Sequence, residues 1–503
     1  MAIWLVMFGA ALTVAAVQSH PASAQTGEAS AWDIGKARAA VQAAIPKAAQ
    51  DRTRPVYHFR PPAQWMNDIC GAIHYKGYYH IFYQYNPFSG DRWGDDYTAW
   101  AHARSKNLLH WEDLPWAITP MKGRGERRCN SGCVTRDGNG RPRLFYTFVN
   151  ETRDSTRHGK REQWSAIPLD DDLITWRRVP DGSLMAAGMN GVPEEVDAGW
   201  SDPFVFRSGG RTFVTFKSCE GLVCEAMNAE LTQWNYVGHM DGVDGECPNV
   251  FPLGNKWVLL RSTKPPTYVV GDFDPRNISF DMNGRQGVLD YGFGQDPPED
   301  RAWTRGLYAT NTFCDDSGRC LMVGWVCGFK PGRGWNGCMS LPRVLSLDAD
   351  NNLLQRPAAE LKNLRGRHMQ IENLDLRHES RRLDRIEGDT LEIIAEFKPN
   401  DARRFGLKVR CSEDGRNALL LSHGNGILDV AGTEVPVPLD PGAEDLTLHV
   451  FLDKSVMEVF INDGPTSVTR VDYPGENDLG LAVFAEGSAT VTSLDVWEMK
   501  AVW

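Results

Sequence analysis

Three acidic residues, Asp68, Asp202 and Glu246, lie among apolar or aromatic neighbours at the edges of predicted strands. A carboxylate in such surroundings is partly desolvated, and desolvation raises the pKa of an acid towards values at which it can protonate a leaving group. Cleavage of a glycosidic bond needs two carboxylates, one to protonate the departing oxygen and one to attack carbon or activate water. The pattern therefore allows glycosidase chemistry, while Asn-Asp and Asp-Pro pairs are also common in turns.

The segments around the three acids resemble the acidic blocks of glycoside hydrolase family 32, which contains invertases, levanases, inulinases and fructan exohydrolases. The matching blocks are Trp65-Met66-Asn67-Asp68, Asp202-Pro203 and Glu246-Cys247-Pro248. Other segments similar to the family follow in the same order, at residues 82–87, 100–105, 110–115, 130–132, 289–292, 340–343 and 452–464. The resemblance spans residues 55–500, nearly the whole chain.

The resemblance implies a retaining hydrolase that cleaves terminal β-D-fructofuranosyl linkages in fructans, fructo-oligosaccharides or sucrose. Asp68 would attack the anomeric C2 to form a covalent fructosyl-enzyme, and Glu246 would protonate the leaving oxygen and later activate water. Asp202 would hydrogen-bond fructose hydroxyls and stabilise the transition state. The positions that match the fructose pocket of the family, where rings and polar groups orient the sugar, are Asn67, Gln84, Trp93, Trp100 and Ser131.

Two blocks depart from the family pattern. Asp68 is followed by Ile69-Cys70 in place of Pro-Asn, and Asp202 is preceded by Ser201 in place of arginine. The missing guanidinium removes a fixed cation, which should raise the pKa values of the carboxylates and remove a contact to substrate. The departures leave hydrolysis plausible and put sucrose in doubt as the natural substrate. Replacement cations suggested by residue type alone are Arg305 and Lys264.

Three other functions compete with this interpretation. A fructosyltransferase, including the levan or inulin fructotransferase type, would use the same covalent intermediate with a sugar hydroxyl as acceptor. A catalytically weak carbohydrate-binding protein could use the same scaffold, because fold does not fix function. A five-bladed glycosidase acting on arabinan or xylan is disfavoured by the Trp-Met-Asn-Asp and Glu-Cys-Pro segments and by the C-terminal domain. The choice of substrate and exo or endo action do not follow from the sequence.

Short apolar and aromatic runs, separated by Gly, Asp, Asn and Pro, recur throughout residues 53–357. Runs of this length, rich in β-branched and aromatic residues, predict strands rather than core helices. Their regular recurrence predicts radially repeated four-stranded sheets, a propeller, with a sandwich as the competing architecture. The family resemblance implies five blades. Representative runs are residues 78–83, 143–148, 212–216 and 256–260.

A second all-β unit is predicted over residues 374–503, with apolar residues alternating at period two. Asn462-Asp463-Gly464 is a turn signal after one of these strands. The pattern fits a β-sandwich, and the basic, helix-compatible residues 358–373 are the expected connector. The predicted fold is therefore all-β, a five-bladed β-propeller catalytic domain followed by a C-terminal β-sandwich.

Residues 1–24 have the pattern of a signal peptide, an uncharged apolar run followed by the small-x-small site Ala22-Ser23-Ala24. A buried N-terminal helix or a retained anchor is the alternative. We therefore expect a secreted or periplasmic protein, with residues 25–52 as an N-terminal arm that is helical over residues 31–49. The formal net charge of -11 argues against nucleic-acid binding. No second apolar segment predicts a membrane partner, and the sequence does not indicate an oligomeric state.

The 11 cysteines contain no Cys-x-x-Cys pair and no Cys/His cluster with zinc-site spacing, and no nucleotide, flavin or phosphate loop is evident. No metal or cofactor is expected. Cys70 and Cys247 each lie within two residues of a proposed catalytic acid, so their sulfurs should be near one another if the acids converge. We expect two buried thiols, with a regulatory disulfide as the alternative. The pairs close enough in sequence to consider for disulfides are Cys129/Cys133, Cys219/Cys224 and Cys314/Cys320.

Overall fold

The computed structural model describes residues 31–94, 97–150, 161–196, 199–218, 221–294, 300–301, 303–439 and 445–503. Almost all of its regular structure is β, in five propeller blades and a C-terminal two-layered sheet, which confirms the predicted fold class. The predicted signal peptide, residues 1–24, lies outside the described residues. Within the described part of the chain, no helix is both long and apolar enough to cross a membrane.

The N-terminal arm contains the one long helix among the described residues, α1 (Ala31–Ala49), with the bounds that its alanine-rich sequence predicts. Val41 and Ala48 are buried in an apolar cluster that includes Phe59 and Trp335. The side chain of Gln64 donates a hydrogen bond to the carbonyl of Ala40 at 3.4 Å. The arm is therefore docked against the first blade.

The blades follow one another along the chain, and each is an antiparallel sheet with its first strand innermost. Blade I contains β1 (Gln64–Tyr75), β2 (Tyr78–Asn86), β3 (Ala99–Ser105) and β4 (Trp111–Ile118). A short 3-10 turn (Lys122–Arg124) leads to blade II, with β5 (Glu126–Arg136), β6 (Pro142–Asn150), β7 (Arg161–Pro168) and β8 (Trp176–Arg178). Blade III contains β9 (Ser201–Ser208), β10 (Arg211–Lys217), β11 (Leu222–Ala226) and β12 (Trp234–His239).

Blades IV and V carry small additions to the four-stranded plan. Blade IV contains β13 (Glu246–Leu253), β14 (Lys256–Ser262), β15 (Thr267–Gly271) and β18 (Arg285–Val288), with a separate ribbon of β16 (Phe273–Asp274) and β17 (Ser279–Phe280). Blade V contains β19 (Gly306–Cys314), β20 (Cys320–Cys327), β23 (Arg343–Leu347) and β24 (Leu353–Pro357), and β22 (Cys338–Met339) also pairs with β20.

The ring is closed by a short strand from the last blade. β21 (Trp335–Asn336) pairs in parallel with β1, through Gln64 with Trp335 and Trp65 with Asn336. The first strands of neighbouring blades lie side by side around the centre, including those of blades I and V. Because each blade packs between two others, its inner strands are buried on both faces, which explains the continuous apolar runs in the sequence.

The C-terminal domain is one continuous sheet folded into two layers. The central strand β34 (Gly480–Met499) pairs through residues 480–486 with β27 and through residues 490–498 with β26, so it belongs to both layers. One apolar core fills the space between them. The other strands are β25 (Arg365–Glu387), β26 (Thr390–Lys398), β27 (Arg404–Cys411), β28 (Leu419–Gly424), β29 (Ile427–Val430), β30 (Thr433–Pro436), β31 (Leu446–Asp453), β32 (Val456–Ile461) and β33 (Thr466–Val471).

The connector between the domains differs from the sequence expectation for residues 358–373. A 3-10 helix, Ala359–Leu364, forms its first part, but the chain enters strand β25 at Arg365. Lys362 belongs to the 3-10 helix, whereas Arg365 and Arg367 lie on a strand that pairs with β34. Pairing along a 20-residue partner strand thus overrides local helix preference.

A buried ionic network joins the two domains. Nδ1 of His58 lies 2.8 Å from Oδ2 of Asp453, and its Nε2 lies 3.1 Å from Oε1 of Glu458. Arg343 contacts Oε2 of Glu458 at 2.7 Å and Oδ2 of Asp290 at 3.2 Å. Burial lowers the pKa of His58, but its hydrogen bonds to the two carboxylates outweigh that effect and raise the pKa to about 9. The interface therefore holds ionised groups that compensate one another.

The ten cysteines among the described residues are free thiols. Cys129 and Cys133 lie on the same strand, β5, so they are not arranged to pair. Cys314 and Cys320 face each other across the hairpin of β19 and β20. The third candidate pair includes Cys219, which lies outside the described residues.

Candidate active site

A cavity of about 190 Å³ opens at the centre of the propeller ring. Each of the five innermost strands contributes at least one polar residue to its lining, including Asp68 from β1, Ser131 from β5, Asp202 from β9, Glu246 from β13 and Tyr308 from β19. The structure thus brings together the three acids that the sequence singled out, from blades I, III and IV.

Each of these residues lies at a β-bulge or opposite one. The shifts in strand register fall at Met66/Ile69, Asn130/Gly132, Thr215/Lys217, Glu246/Asn249 and Tyr308/Asn311. A bulge adds a residue to one strand and redirects the side chains beside it. A register shift that involves the innermost strand of every blade therefore turns side chains of these buried strands towards the cavity.

The carboxylate of Asp68 is held by a chain of hydrogen bonds. Ser131 Oγ donates to Asp68 Oδ2 at 2.6 Å, and Asn67 Nδ2 lies 3.2 Å from Asp68 Oδ1. Gln84 in turn donates to Ser131 Oγ at 2.7 Å and accepts from Asn67 at 2.5 Å and from the indole of Trp93 at 3.1 Å. Four of the five predicted substrate-binding residues therefore line the cavity and fix the position of Asp68.

Burial raises the pKa of Asp68 to about 6, and the charges of Asp202 and Glu246 act in the same direction. The hydrogen bonds from Ser131 and Asn67 act against that shift, because they favour the charged form. Asp68 is thus ionised at neutral pH but closer to protonation than an ordinary aspartate. An ionised carboxylate in this position can act as a nucleophile.

The two oxygens of Glu246 have different partners. Oε1 forms a short ion pair with the ammonium of Lys217, and Oε2 lies 3.2 Å from the hydroxyl of Tyr308. The Glu246 side chain is 42% exposed, so water and a leaving group can reach it. A carboxyl group that is both held and open to solvent suits general acid–base catalysis.

Asp202 lies deeper than Glu246. The backbone N–H of Cys247 donates to Asp202 Oδ2 at 3.1 Å, and the backbone of Asp202 has a positive φ of 57°. Burial raises the pKa of Asp202, as does the charge of Glu246, while Lys217 opposes the shift. This acceptor is held in place by the backbone, in a conformation that non-glycine residues seldom adopt.

The cations of the cavity come from residues that the sequence did not single out. Lys217, Arg161 and Arg128 line it. The suggestion of Arg305 and Lys264 as replacement cations is wrong. Arg305 pairs with Asp472 of the C-terminal domain at 3.1 Å, and neither residue lines the cavity. Lys217 is directly opposite Ser201 in the pairing of β10 with β9, a relation that is visible only once the strand register is known.

Trp100 was expected in the pocket, and this expectation is wrong. Its side chain is fully buried in the apolar core between blades I and II, and its indole N–H donates to the carbonyl of Asn130 at 3.1 Å. It therefore supports the strand that carries Ser131 from behind. Trp93 does line the cavity, and the guanidinium of Arg128 lies 4.3 Å from the centre of its ring.

Three further tryptophans form an aromatic wall of the cavity that sequence reasoning missed. Trp65 and Trp303 both lie against Trp325, with ring centroids 6.0 Å and 5.8 Å from it. Trp303 is 37% exposed, so part of this wall faces solvent. Flat rings at the entrance of a polar pocket are suited to contact the apolar face of a sugar. Trp65 belongs to a recognised segment, whereas nothing local marks Trp303 or Trp325.

Two cysteines contact the Asp68 segment. Cys70 Sγ lies 3.4 Å from the backbone oxygen of Asp68, and Cys247 Sγ lies 3.7 Å from Asp68 Oδ2. Both are buried free thiols, as expected, and burial raises the pKa of each well above its usual value. They remain neutral and fill the space beneath the acid. No group of residues that could hold a metal ion is present in the described part of the chain.

Comparison with known proteins follows the same domain division. The family model described as Glycosyl hydrolases family 32 N-terminal domain matches residues 58–357, and the model for the family 32 C terminal matches residues 360–498. A levanase from Bacillus subtilis is 31% identical over 90% of this chain and 71% of its own length. A sucrose-6-phosphate hydrolase from Zymomonas mobilis is 29% identical over 89% of this chain and 92% of its own length.

Solved structures share the fold. Fructan 1-exohydrolase IIa from Cichorium intybus superposes with a TM-score of 0.76 at 22% identity, covering 90% of this chain and 98% of the other. A β-fructofuranosidase from Bombyx mori gives a TM-score of 0.74 at 24% identity, covering 93% and 99% of the two chains. Since both domain models match and together span most of the sequence, the chain is a glycoside hydrolase that belongs to family 32.

Proposed function

We propose that this protein is a retaining β-fructofuranosidase that releases terminal fructosyl units from fructans or fructo-oligosaccharides. The observation that carries the proposal is the pair Asp68 and Glu246 on the lining of one cavity, with contrasting surroundings. Asp68 is fixed by hydrogen bonds from Ser131 and Asn67, as a nucleophile should be, and Glu246 is open to solvent, as an acid–base catalyst must be.

In the first step, an oxygen of Asp68 bonds to C2 of the fructosyl unit as the bond from C2 to the leaving oxygen breaks. Glu246 gives its proton to that oxygen, so the leaving sugar departs as an alcohol. In the second step, Glu246 takes a proton from water, the hydroxide oxygen bonds to C2, and the ester to Asp68 breaks. Two displacements at the same carbon retain its configuration. Asp202 accepts hydrogen bonds from fructose hydroxyls throughout.

The names of related proteins support this class of substrate. The levanase relative carries a fructan in its name, and solved structures of the same fold include a fructan 1-exohydrolase with 1-kestose and a β-fructofuranosidase with sucrose. With residues 1–24 as an export signal, we propose that the protein acts outside the cytoplasm, in the periplasm or secreted, where polymeric fructans are found.

The test uses purified wild type and Glu246→Ala with levan, inulin and sucrose, and analyses the products by chromatography. We expect wild type to release fructose and Glu246→Ala to lose nearly all of that activity. Glu372→Ala, at an exposed position on β25, is the matched control and should behave as wild type. If the products were oligomeric or cyclic fructosyl compounds instead of free fructose, the protein would be a fructosyltransferase and not a hydrolase. No turnover of any of the three would favour a carbohydrate-binding protein.

Retention is tested separately with azide. The substrate is β-D-fructofuranosyl fluoride, because fluoride leaves with little protonation and Glu246→Ala can still form the fructosyl-enzyme. The alanine leaves room beside C2, and azide needs no base to attack the intermediate. We expect azide to restore turnover and to yield a fructosyl azide with the same anomeric configuration as the substrate. An azide product of inverted configuration would contradict the covalent intermediate on Asp68.

A further inference from the structure

Lys217 lines the cavity, and it lies beside an irregularity in the strand that carries it. It ends β10, directly opposite Ser201, immediately after the register shift between Thr215 and Lys217. The shift turns its side chain towards the centre of the ring, where its ammonium pairs with Oε1 of Glu246. A cation has thus been placed on the strand next to the one that carries Asp202.

The ammonium is held as a charged group. Its burial lowers the pKa of Lys217, but the charges of Glu246 and Asp202 outweigh this and raise it. The two other cations that line the cavity, Arg161 and Arg128, contact groups other than the three acids. Arg161 donates to the carbonyl of Gly199 at 2.8 Å, and Arg128 stacks on Trp93. Lys217 is therefore well placed to act through Glu246.

Lys217 and Tyr308, the two partners of Glu246, differ in whether they can accept a hydrogen bond from it. An ammonium group only donates hydrogen bonds, and the unprotonated oxygen of a carboxyl group is the better acceptor, so Lys217 favours the form in which Oε1 carries no proton. Tyr308 lies 3.2 Å from Oε2, and its own hydroxyl hydrogen has another acceptor, the carbonyl of Ser262 at 2.8 Å. When the Tyr308 hydroxyl donates its hydrogen to Ser262, the phenol oxygen is free to accept a hydrogen bond. Oε2 of Glu246 can then carry the proton of the acid form and donate it to this oxygen.

We propose that Lys217 is a positioning residue for Glu246, which directs the catalytic proton to Oε2 and stabilises the carboxylate that remains when the proton passes to the leaving oxygen. The inference rests on the proposed function, because it assigns Glu246 the role of proton donor. It also explains how the cavity works with serine at position 201: the fixed cation comes from the partner strand and contacts the acid directly.

The role predicts a dependence on the leaving group. The second-order constant kcat/KM for a retaining enzyme covers only the steps through formation of the fructosyl-enzyme. A sugar alcohol needs protonation in that step, whereas fluoride leaves from β-D-fructofuranosyl fluoride with little help. A defect in proton transfer should therefore appear with an oligosaccharide and not with the fluoride. A general loss of packing or binding should affect both.

The experiment compares wild type with Lys217→Met, which keeps the length of the side chain and removes its charge, on a fructo-oligosaccharide and on the fluoride. We expect Lys217→Met to lose about 100-fold in kcat/KM on the oligosaccharide, within the usual range for general acid catalysis, and to be nearly unchanged on the fluoride. Lys217→Arg should retain most activity, and Ser201→Arg should restore part of it when combined with Lys217→Ser. Melting temperatures of all variants identify any that fold poorly.

Equal losses on the two substrates would overturn the inference, since Lys217 would then act by structure or binding alone. Activity of Lys217→Met equal to that of wild type on the oligosaccharide would overturn it as well. If wild type cleaved neither compound, the proposed function itself would fail, and the inference with it. Cleavage of both compounds by wild type therefore separates the two failures.

Discussion

Ser131 Oγ donates a hydrogen bond of 2.6 Å to Asp68 Oδ2 across the boundary between blades II and I. The serine is buried, and it also accepts a hydrogen bond from Gln84, so its own hydrogen is directed to the carboxylate. A hydrogen bond to the charged form of an acid favours ionisation. The ionised form of Asp68, which the proposed nucleophile requires, is thus stabilised by a residue of the neighbouring blade.

Replacing Ser131 by alanine should raise the pKa of Asp68 above about 6. The acidic limb of the pH profile of kcat/KM should then move to higher pH. At the pH optimum of wild type, we expect kcat/KM to fall by about 10-fold, since a hydrogen bond to a charged group contributes about 1.5 to 3 kcal/mol. The measurement is the pH profile of fructose release, with Ser208→Ala, at the end of β9, as control. An unchanged acidic limb would show that Ser131 does not influence Asp68.

Asp68→Asn should be inactive and more stable than wild type. The pKa of Asp68 is raised from 3.8 to about 6 in the folded protein, so its ionised form destabilises the fold at neutral pH. We expect the amide to stabilise the protein by about 1 to 3 kcal/mol at pH 7, as measured by urea unfolding. The gain should shrink as the pH falls from 6 through 3.8, and it should vanish below 3.8, where the acid is neutral in both states. A less stable Asn variant at pH 7 would contradict this account.

Replacing Trp93 by phenylalanine should affect KM, whereas replacing Trp100 by phenylalanine should affect stability. Trp93 donates to Gln84 inside the cavity, so Trp93→Phe should raise KM and leave stability nearly unchanged. Trp100 donates to the carbonyl of Asn130 in the core, and Trp100→Phe should cost about 1 to 3 kcal/mol of stability. Urea unfolding and KM for a fructo-oligosaccharide check both variants. A rise in KM for Trp100→Phe without loss of stability would indicate that Trp100 contacts the substrate after all.

The interface network should make stability depend on pH. Because the pKa of His58 is raised from 6.5 to about 9 in the folded protein, its contribution is complete below pH 6.5 and is lost as the pH rises through 9. His58→Gln, which leaves Asp453 and Glu458 without that charge, should cost about 3 to 5 kcal/mol at pH 6. Urea unfolding of both proteins at pH 6 and at pH 10 should show a smaller difference at pH 10. An equal difference at both values would mean that His58 is neutral in the folded state.

The sequence predicts the parts of this structure that have local signals. Runs such as residues 78–83 and 143–148 are strands, and Asn462-Asp463-Gly464 forms a turn in which all three residues have positive φ. The three acids and four of the five pocket residues lie where the family resemblance places them. Local patterns and recognised segments suffice for these features, because each is encoded by adjacent residues.

The remaining features depend on which strands meet. β21 has only two residues and pairs with β1 from the other end of the propeller, so no pattern marks it. Lys217 enters the cavity because of a register shift opposite Ser201, and a shift of one residue reverses the direction in which a side chain points. Trp100 lies on the face of β3 that packs into the core. The alternation of residues predicts that a segment is a strand. It does not predict which of the alternating side chains point towards the cavity at the centre of the ring.

The link between His58 and Asp453 also bears on how the protein is made. The two residues are 395 positions apart, so a ribosome produces the whole propeller before it produces the carboxylates that compensate His58 and Arg343. Until those carboxylates are made, Arg343 has Asp290 of its own domain as an ionic partner, whereas both carboxylate partners of His58 are missing. The ionic interface between the two domains is therefore completed only when translation of the chain is nearly finished.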